Sequence, residues 1–551
     1  MATSSPILDV RGLTVDLPPW ADRPQAVSDV SLTLARDEIL CVVGESGSGK
    51  SVMARAVMRL LPQPHLRASA GSILLDGEDV LRLSDARMRE LRGRRVSMIF
   101  QEPMTALNPV KTIGAQIEEV LALHTTLRKR ERVQRIVEML AAVRLPNAAH
   151  LVDAYPHQLS GGQRQRAMIA MALILEPALV IADEPTTALD VTTQKGILAL
   201  FREIQRARHI GVLFITHDFG VVADIADRVA VMQHGRVVEI GTREAVLNAP
   251  AHPYTQALIA AVPSLEPHAR RIAPDAPVVL RVERLEKTYH SGGGFGRGRR
   301  VVPAVRSVDL AIRHGETLGV VGESGSGKST LARCIVRLVD AERGAVLMSG
   351  VDLMRLSRRE LRKHRRQIQT VFQDPYGSLD PRSRIGRLIA EGPIVHGVPE
   401  AEAMSRAYAL LELVGLDRRS ADRFPHEFSG GQRQRIGIAR ALALEPAVLI
   451  ADEPVSALDV SVQAQVLRLL ADIRDRLKLS MLFITHDLRV AAQVCDTIAV
   501  MRAGEIVEYG AVGDIFASPS HPYTRELFGA VPGRHWRHPT RAESHSPVNP
   551  T

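Results

Sequence analysis

The chain has 551 residues, of which 45% are hydrophobic, and its 70 basic and 61 acidic residues give a net charge of +9. This hydrophobic content is ordinary for a globular protein and sufficient for two hydrophobic cores. The longest apolar stretch, residues 168–182, is interrupted by Glu176 and Pro177 and is shorter than a membrane span. Because the first residues do not resemble a signal peptide, the sequence predicts a soluble intracellular protein that does not cross a membrane by itself.

The positive charge is compatible with a nucleic-acid or anionic membrane partner, or with an arginine-rich solvated surface. Local basic runs at residues 128–132, 292–300 and 358–366 lack interleaved aromatic side chains, apart from Phe295. Proteins that read single strands stack bases on such aromatics. We therefore favour the solvated surface and expect no nucleic-acid partner. Cys41, Cys334 and Cys495 have no metal or disulfide spacing, and the two beside the phosphate loops, Cys41 and Cys334, are expected to be buried thiols.

The first predicted elements are antiparallel β strands over residues 7–34 and an apolar strand over residues 39–43. The run GESGSGKS that follows, residues 44–51, fits the phosphate-loop pattern G-x-x-x-x-G-K-[ST]. A strand, this loop and a helix turn backbone N–H groups towards bound phosphates. Lys50 is expected to reach the β- and γ-phosphates, and the Ser51 hydroxyl to bind Mg²⁺.

Further along the chain, the predicted strand over residues 179–183 ends in an aspartate that is followed by a glutamate. A carboxylate at the end of a strand beside a phosphate loop can hold Mg²⁺ through its water shell, which is the role expected of Asp183. Glu184 is placed to polarise an attacking water as a general base. An acidic cap between strand and loop is the alternative, but it does not explain the downstream histidine His217.

The second half of the chain repeats the first. GESGSGKS returns at residues 322–329 after an apolar strand over 317–321, and SGGQRQR, IADEP, LFITHD and HPYT each occur twice at a common offset of 269 residues. A repeat of this length indicates two copies of one domain rather than a solenoid. We predict domains at residues 1–265 and 279–533, a linker at 266–278, a long hairpin loop at 292–300, and a disordered tail at 534–551.

The order and spacing of these motifs resemble the ATP-binding cassette ATPases, twice and over nearly the whole chain. The resemblance implies an α/β fold of two tandem P-loop NTPase domains. Each domain would have a RecA-like core with a mostly parallel sheet, an antiparallel β subdomain (7–34; 279–312) and a helical subdomain. The signature motifs would be residues 159–163 and 428–432, the second with Phe428 in place of the usual leucine.

The resemblance also implies the roles of individual residues. Glu184, Glu453 and the switch histidines His217 and His486 would be catalytic, and D-loops would lie at residues 187–190 and 456–459. Mg²⁺ would be bound by Ser51, Gln101, Asp183, Ser329, Gln373 and Asp452. The nucleotide would be bound by Gly44, Glu45, Ser46, Gly47, Ser48, Gly49, Lys50, Ser51, Gln101, Ser160, Gly161, Gly162, Gln163, Tyr289, Gly322, Glu323, Ser324, Gly325, Ser326, Gly327, Lys328, Ser329, Thr330, Gln373, Ser429, Gly430, Gly431 and Gln432.

Tyr289 is the aromatic residue that would stack on adenine in the second half. In the first half the corresponding position is occupied by Leu17, and Trp20 would take over the stacking on adenine. In this family each phosphate loop is completed by the signature of the other domain, so Ser429 and Gly431 would complete the site of Lys50. Ser160 and Gly162 would likewise complete the second site. Both sites keep their glutamate and histidine, and both are expected to hydrolyse ATP.

The tail of each half, with HPYT at residues 252–255 and 521–524, is compatible with a plain packing element. It also resembles the ATPase subunits of oligopeptide, dipeptide and nickel importers, in the fused form of glutathione- and peptide-type importers. Two membrane permeases and an extracytoplasmic solute-binding protein would then be partners at the cytoplasmic face of the inner membrane. Many single-subunit relatives have a cysteine-rich extension, but residues 263–277 and 532–551 contain no cysteine, so no iron–sulfur cluster is expected.

Other classes stay open on the sequence alone. A tandem cassette acting on the ribosome or DNA is the main alternative, although only residues 266–278 separate the halves and no zinc pattern is present. A regulator without turnover would be expected to have lost its glutamates or histidines. An exporter ATPase would commonly carry fused membrane spans. Dipeptide, oligopeptide, glutathione, nickel and opine-like cargoes cannot be distinguished, because specificity resides in other subunits.

Overall fold

The computed structural model describes residues 5–187, 189–268, 275–291, 300–374, 377–456 and 458–536, without the side chains of Pro103, Met104, Ser291 and Arg300. Four sequence predictions fall outside these residues wholly or in part: the linker at residues 269–274, the D-loop alanines Ala188 and Ala457, the hairpin loop at 292–299, and the tail from residue 537. Contacts divide the chain into two compact units. Unit 1 is Met1–Val262 together with Ala530–Thr551, and unit 2 is Pro263–Gly529.

Unit 1 contains two sheets. Its strands are β1 (Leu8–Asp16), β2 (Gln25–Leu34), β3 (Ile39–Val43), β4 (Arg67–Leu75), β5 (Glu78–Asp79), β6 (Val96–Ile99), β7 (Leu179–Asp183), β8 (Gly211–Ile215), β9 (Arg228–Gln233) and β10 (Arg236–Thr242). An antiparallel sheet has the order β2-β1-β4-β5, and a six-stranded sheet has the order β10-β9-β3-β8-β7-β6. In the larger sheet all neighbours are parallel except β9 and β10.

The helices of unit 1 are α1 (Lys50–Val57), α2 (Asp85–Leu91), α3 (Pro103–Ala106), α4 (Ile113–His124), α5 (Lys129–Ala142), α6 (Ala148–Leu151), α7 (Gly161–Leu173), α8 (Val191–Arg208), α9 (Phe219–Ile225), α10 (Arg243–Asn248) and α11 (Pro253–Ala261). Local sequence sets several of their starts. The side chains of Ser84, Thr112 and Asp190 cap α2, α4 and α8 by accepting backbone N–H bonds. Helices α3–α7 form the predicted helical subdomain, between β6 and β7.

Unit 2 repeats this plan. Its strands are β11 (Val278–Ser291), β12 (Arg300–Arg313), β13 (Thr317–Val321), β14 (Arg343–Met348), β15 (Val351–Asp352), β16 (Ile368–Val371), β17 (Val448–Asp452), β18 (Ser480–Thr485), β19 (Thr497–Arg502) and β20 (Glu505–Ala511). The sheet orders are β12-β11-β14-β15 and β16-β17-β18-β13-β19-β20, the second being the unit 1 order read from its other edge.

The helices of unit 2 are α12 (Lys328–Ile335), α13 (Arg358–His364), α14 (Ile385–Val395), α15 (Glu400–Leu413), α16 (Gly430–Leu442), α17 (Val460–Leu477), α18 (Leu488–Val494), α19 (Val512–Ala517) and α20 (Pro522–Gly529). Short 3₁₀ helices occur at Pro156–Gln158, Leu353–Arg355, Arg365–Gln367, Arg418–Asp422 and Pro425–Glu427. Across the described ranges, no helix has the length and apolar character needed to span a bilayer.

The central strand β3 is buried on both faces, which explains its continuous apolar sequence. Ile39, Cys41 and Val43 belong to one hydrophobic core, while Leu40 and Val42 belong to another. Side chains of a strand alternate between faces, so the two cores lie on opposite sides of the sheet. The α/β class with antiparallel and mostly parallel sheets is confirmed.

The contact-based units differ from the domain boundaries that the sequence suggested. Residues from Pro263 onwards group with unit 2, and the residues from Ala530 onwards return to unit 1. In unit 1, the backbone N–H of Gly533 donates to Asp224 at 3.1 Å and the indole of Trp536 donates to Asn248 at 3.2 Å. The end of the second repeat is therefore part of the first unit's packing.

Candidate functional site

Each phosphate loop joins the buried central strand of its unit to a helix. Several positions in the loop have backbone conformations that favour glycine. Gly44, Gly47 and Gly49 have φ values of 151°, 75° and 102°, which lie in the region that favours glycine. A Cβ on Gly44 would stand 2.2 Å from the carbonyl oxygen of Met232. In unit 2 a Cβ on Gly322 would stand at the same distance from that of Met501.

The lysine of each loop is folded into the loop itself. Lys50 is 5% exposed, and its Nζ donates to the carbonyl oxygens of Gly44 at 2.7 Å and Glu45 at 2.8 Å. Lys328 makes the equivalent bonds, both at 2.8 Å, to Gly322 and Glu323. A buried ammonium group at the N-terminus of a helix favours an anionic ligand, as a phosphate-binding role requires.

A serine and an aspartate lie together beside each loop. The hydroxyl of Ser51 donates to Asp183 at 2.8 Å, and that of Ser329 donates to Asp452 at 3.0 Å. Burial raises the pKa of Asp183 and of Asp452, partly offset by these hydroxyl bonds. A buried carboxylate with a hydroxyl beside it is a set of oxygen donors suited to Mg²⁺, and the cation's charge would favour the ionised carboxylate.

Glu184 lies at the centre of a cluster at the ends of parallel strands. Its Oε2 accepts hydrogen bonds from the Gln101 amide at 3.0 Å and the Thr187 hydroxyl at 3.0 Å, with His217 Nδ1 at 3.4 Å. Burial alone would raise the pKa of Glu184, but the bonds from His217 and Thr187 and the charge of Lys50 lower it below its ordinary value. The carboxylate is thereby held ionised and able to accept a proton.

Unit 2 has the same cluster around Glu453. Its Oε2 accepts from the Gln373 amide at 2.9 Å, and His486 Nδ1 lies at 3.2 Å. Burial opposes ionisation of Glu453, but the bond and charge of His486 outweigh it, so the pKa of Glu453 is lowered. Burial likewise opposes protonation of His486, but Glu453 outweighs it and raises the histidine pKa. The predicted glutamine, glutamate and histidine therefore meet in both units.

The signature motifs begin helices α7 and α16. Ser160 accepts from the Gln163 backbone N–H at 3.3 Å, and the Gln163 side chain accepts from the Ser160 N–H at 2.9 Å, which makes a capping box. Ser429 and Gln432 make the same pair of bonds. A Cβ on Gly162 would stand 2.5 Å from Thr193 in α8, whereas one on Gly161 meets only Leu189 at 3.9 Å.

The two glycines of the signature thus have different surroundings. The second glycine allows α7 to approach α8, and in unit 2 a Cβ on Gly431 would stand 2.3 Å from Val462. A Cβ on the first glycine would make only an ordinary van der Waals contact, and Gly161 and Ser160 are exposed. The sequence analysis assigned both glycines to nucleotide binding, which stays a prediction, and the structure gives the second one a packing role as well.

The aromatic residues considered for adenine are exposed. Tyr289, in β11, is 38% exposed, with Lys287 Nζ 5.6 Å from its ring centroid. Trp20 is 77% exposed and its ring meets His65 edge-on at 6.1 Å. Leu17 follows β1, and its backbone N–H bonds to Pro24. Adenine stacking by Tyr289 or Trp20 stays a prediction.

Two kinds of contact at the loops were not predicted from the sequence. The Arg23 guanidinium contacts the carbonyl oxygen of Gly47. The hydroxyl groups of Tyr254 and Tyr523, from the two HPYT sequences, accept from backbone N–H groups of the loops. The repetition of HPYT at the same offset in both halves was the available signal, but it did not indicate which element the tyrosine contacts.

Two family models match the chain. The model described as ABC transporter matches residues 27–187 and 305–456, and the one described as oligopeptide/dipeptide transporter, C-terminal region, matches residues 238–293 and 507–549. Each model therefore matches once in each half.

Curated relatives match along most of the chain. The glutathione import ATP-binding protein GsiA of Salmonella typhimurium (strain LT2) is 48% identical over 96% of this chain and 90% of its own length. GsiA of Escherichia coli O157:H7 is 49% identical over 96% of this chain and 89% of its own. A solved dimeric ATP-binding cassette, MJ0796 with ADP and phosphate, is 30% identical over 42% of this chain and 98% of that chain, with a TM-score of 0.38.

Proposed function

The chain belongs to the ABC transporter family, in the group with the oligopeptide/dipeptide transporter C-terminal region, and on that premise we propose that it hydrolyses ATP to energise an importer of peptides or related small solutes. One observation carries the proposal: a phosphate loop with its lysine and a glutamine–glutamate–histidine cluster occur in each of the two units. The glutathione import relatives favour glutathione or a similar short peptide as the cargo.

In the proposed reaction the loop N–H groups and the lysine bind the triphosphate. Mg²⁺, bound by the Ser51 hydroxyl and by Asp183 through its water shell, would neutralise charge on the phosphate oxygens. The Glu184 carboxylate accepts a proton from the attacking water, whose oxygen forms the new bond to the γ-phosphorus as the bond to the ADP oxygen breaks. Ser329, Asp452 and Glu453 have the same roles in unit 2.

The partners of Glu184 orient it for this reaction. Gln101 and Thr187 each donate to Oε2, so the carboxylate is fixed on that side and Oε1 is the oxygen we assign to the water. His217 is beside the same carboxylate and is the candidate for contact with the γ-phosphate. The pairing of each loop with the signature of the other half remains a prediction of the sequence.

An importer ATPase works with a membrane permease, and the chain is accordingly membrane-associated. We propose two permease subunits, an extracytoplasmic solute-binding protein and a location at the cytoplasmic face of the inner membrane. The presence of the oligopeptide/dipeptide C-terminal region in both halves favours this function over a ribosome or DNA factor. That alternative predicts sedimentation with ribosomes, whereas the importer predicts recovery with membranes.

Uptake is the decisive measurement. Cells lacking the chain should take up less radiolabelled glutathione or dipeptide, and wild-type protein should restore the uptake. A Glu184→Gln/Glu453→Gln double variant at equal abundance should not restore it. Normal uptake of every labelled peptide in the deletion strain, with the chain recovered on ribosomes, would contradict the proposal.

A further inference from the structure

The helix that carries HPYT contacts the phosphate loop of its own unit in both halves. Tyr254, in α11, accepts a hydrogen bond from the Glu45 backbone N–H at 3.2 Å. Tyr523, in α20, accepts from the Glu323 backbone N–H at 3.1 Å. The bonded residues are 209 and 200 positions apart in the chain, so the contact is a property of the fold and arises in each unit separately.

This bond involves the same peptide group that holds the lysine. The N–H accepted by Tyr254 belongs to the peptide between Gly44 and Glu45, and the carbonyl oxygen of that peptide accepts from Lys50 Nζ at 2.7 Å. Because a peptide group is planar, bonds at its two ends fix its orientation and the place of the ammonium group. In unit 2 the equivalent lysine bond is 2.8 Å long.

In unit 1 the orientation of the Tyr254 hydroxyl is itself fixed. A phenol has one proton to donate and lone pairs to accept. The Tyr254 hydroxyl also lies 3.2 Å from Glu45 Oε2, so its proton goes to the carboxylate while a lone pair accepts the N–H of the same residue. In unit 2 the Arg502 guanidinium lies 4.7 Å from the Tyr523 ring centroid, a cation–π distance.

The start of the helix is anchored to the sheet. Glu239, in β10, accepts from the backbone N–H groups of Ala251 at 2.8 Å and His252 at 3.1 Å. His252 caps the helix through Nδ1, which accepts from the Tyr254 N–H at 3.2 Å, and Pro253 takes the first helical position. Unit 2 repeats these bonds with Glu508, Ser520, His521 and Tyr523.

From these contacts we infer that Tyr254 and Tyr523 are positioning residues for ATP binding, which set the phosphate loop by holding the peptide bonded to Lys50 and Lys328. The histidine and proline of HPYT start the helix, and the tyrosine connects it to the loop. The inference rests on the proposed ATPase function. Since the loop binds ATP before and during the reaction, loss of this bond should raise KM with little change in kcat.

The test uses the full chain with Tyr254→Phe, Tyr523→Phe and the double variant, in which each substitution keeps the ring and removes one hydroxyl. The matched control is Tyr509→Phe, because Tyr509 is 48% exposed and its hydroxyl donates to the carbonyl oxygen of Ala311 at 3.2 Å. Calorimetry measures ATP affinity at each site, steady-state phosphate release measures KM and kcat, and thermal unfolding measures folding.

In the double variant we expect ATP affinity to fall and KM to rise about threefold to tenfold, the effect of losing one hydrogen bond, while Tyr509→Phe behaves as wild type. Unchanged ATP affinity in the double variant would overturn the inference. So would an equal loss in the double variant and the control. If the wild-type chain itself binds no ATP, the proposed function fails, and this result is distinct from either outcome.

Discussion

In unit 1 the side-chain amide of Gln101 donates to the carboxylate of Glu184 at 3.0 Å. Gln101 lies two residues beyond the end of β6, and Glu184 directly follows β7, its parallel neighbour in the sheet. The carboxyl ends of neighbouring parallel strands meet at one edge of a sheet, where ligands of open α/β folds bind. The bond thus links two motifs that are 83 residues apart in the chain.

Replacing the central glutamates should stop turnover and leave ATP binding intact. Glu184→Gln or Glu453→Gln removes the proton acceptor from one site, and general bases contribute about 10²–10⁴-fold to a rate. We expect each single variant to lose at least about half of the phosphate release, and the double variant to lose nearly all of it. Exposed Glu412→Gln is the control, and full activity in either single variant would refute the assignment.

The second signature glycine should tolerate a methyl group poorly. A Cβ on Gly162 or Gly431 would stand 2.5 or 2.3 Å from a side chain of the next helix, and overpacking of this kind costs about 1–3 kcal/mol of stability. In contrast, a Cβ on Gly437 in α16 meets nothing within 4 Å, so Gly437→Ala should raise stability by about 0.5–1 kcal/mol. Chemical unfolding of the three alanine variants measures both effects.

The cysteines should be unreactive in the folded protein. Burial raises the pKa of the Cys41 and Cys495 thiols far above the ordinary value and that of Cys334 to about 11. Since the thiolate is the reactive form, a disulfide reagent should modify three thiols only after denaturation. Rapid modification of the native protein at neutral pH, measured by the absorbance of the released reagent, would show that a thiol is accessible.

Removal of residues from Ala530 onwards should destabilise unit 1 rather than unit 2. Gly533 bonds to Asp224, and Trp536 packs partly buried against the core of unit 1. A chain ending at Gly529 should therefore unfold its N-terminal half at a lower temperature, detected by limited proteolysis of that half during heating. A chain ending at Trp536 is the control, and equal protease resistance of the two would contradict the prediction.

Much of the site could be placed from the sequence because its motifs are local. The phosphate loop, the Asp-Glu pair at the end of a strand and the histidine after the next strand can each be recognised from a short run of residues. Each of these motifs follows a strand, so its position at the edge of the sheet can be predicted. The glutamine followed from the family resemblance. Their mutual contacts match that placement, while their roles in turnover are still predictions.

Other features depend on contacts that no local pattern encodes. The bond between Tyr254 and the loop joins residues 209 positions apart. The packing role of Gly162 depends on Thr193, in a helix that follows a separate strand. Such contacts follow from the assembled sheets and helices.

The return of the chain to unit 1 at Ala530 has a consequence for biosynthesis. Residues leave the ribosome in order, and domains generally fold as they emerge. Unit 2 has all of its residues once Gly529 has been translated, but unit 1 then still lacks Gly533 and Trp536. Unit 1, most of which is synthesised first, therefore completes its packing after unit 2.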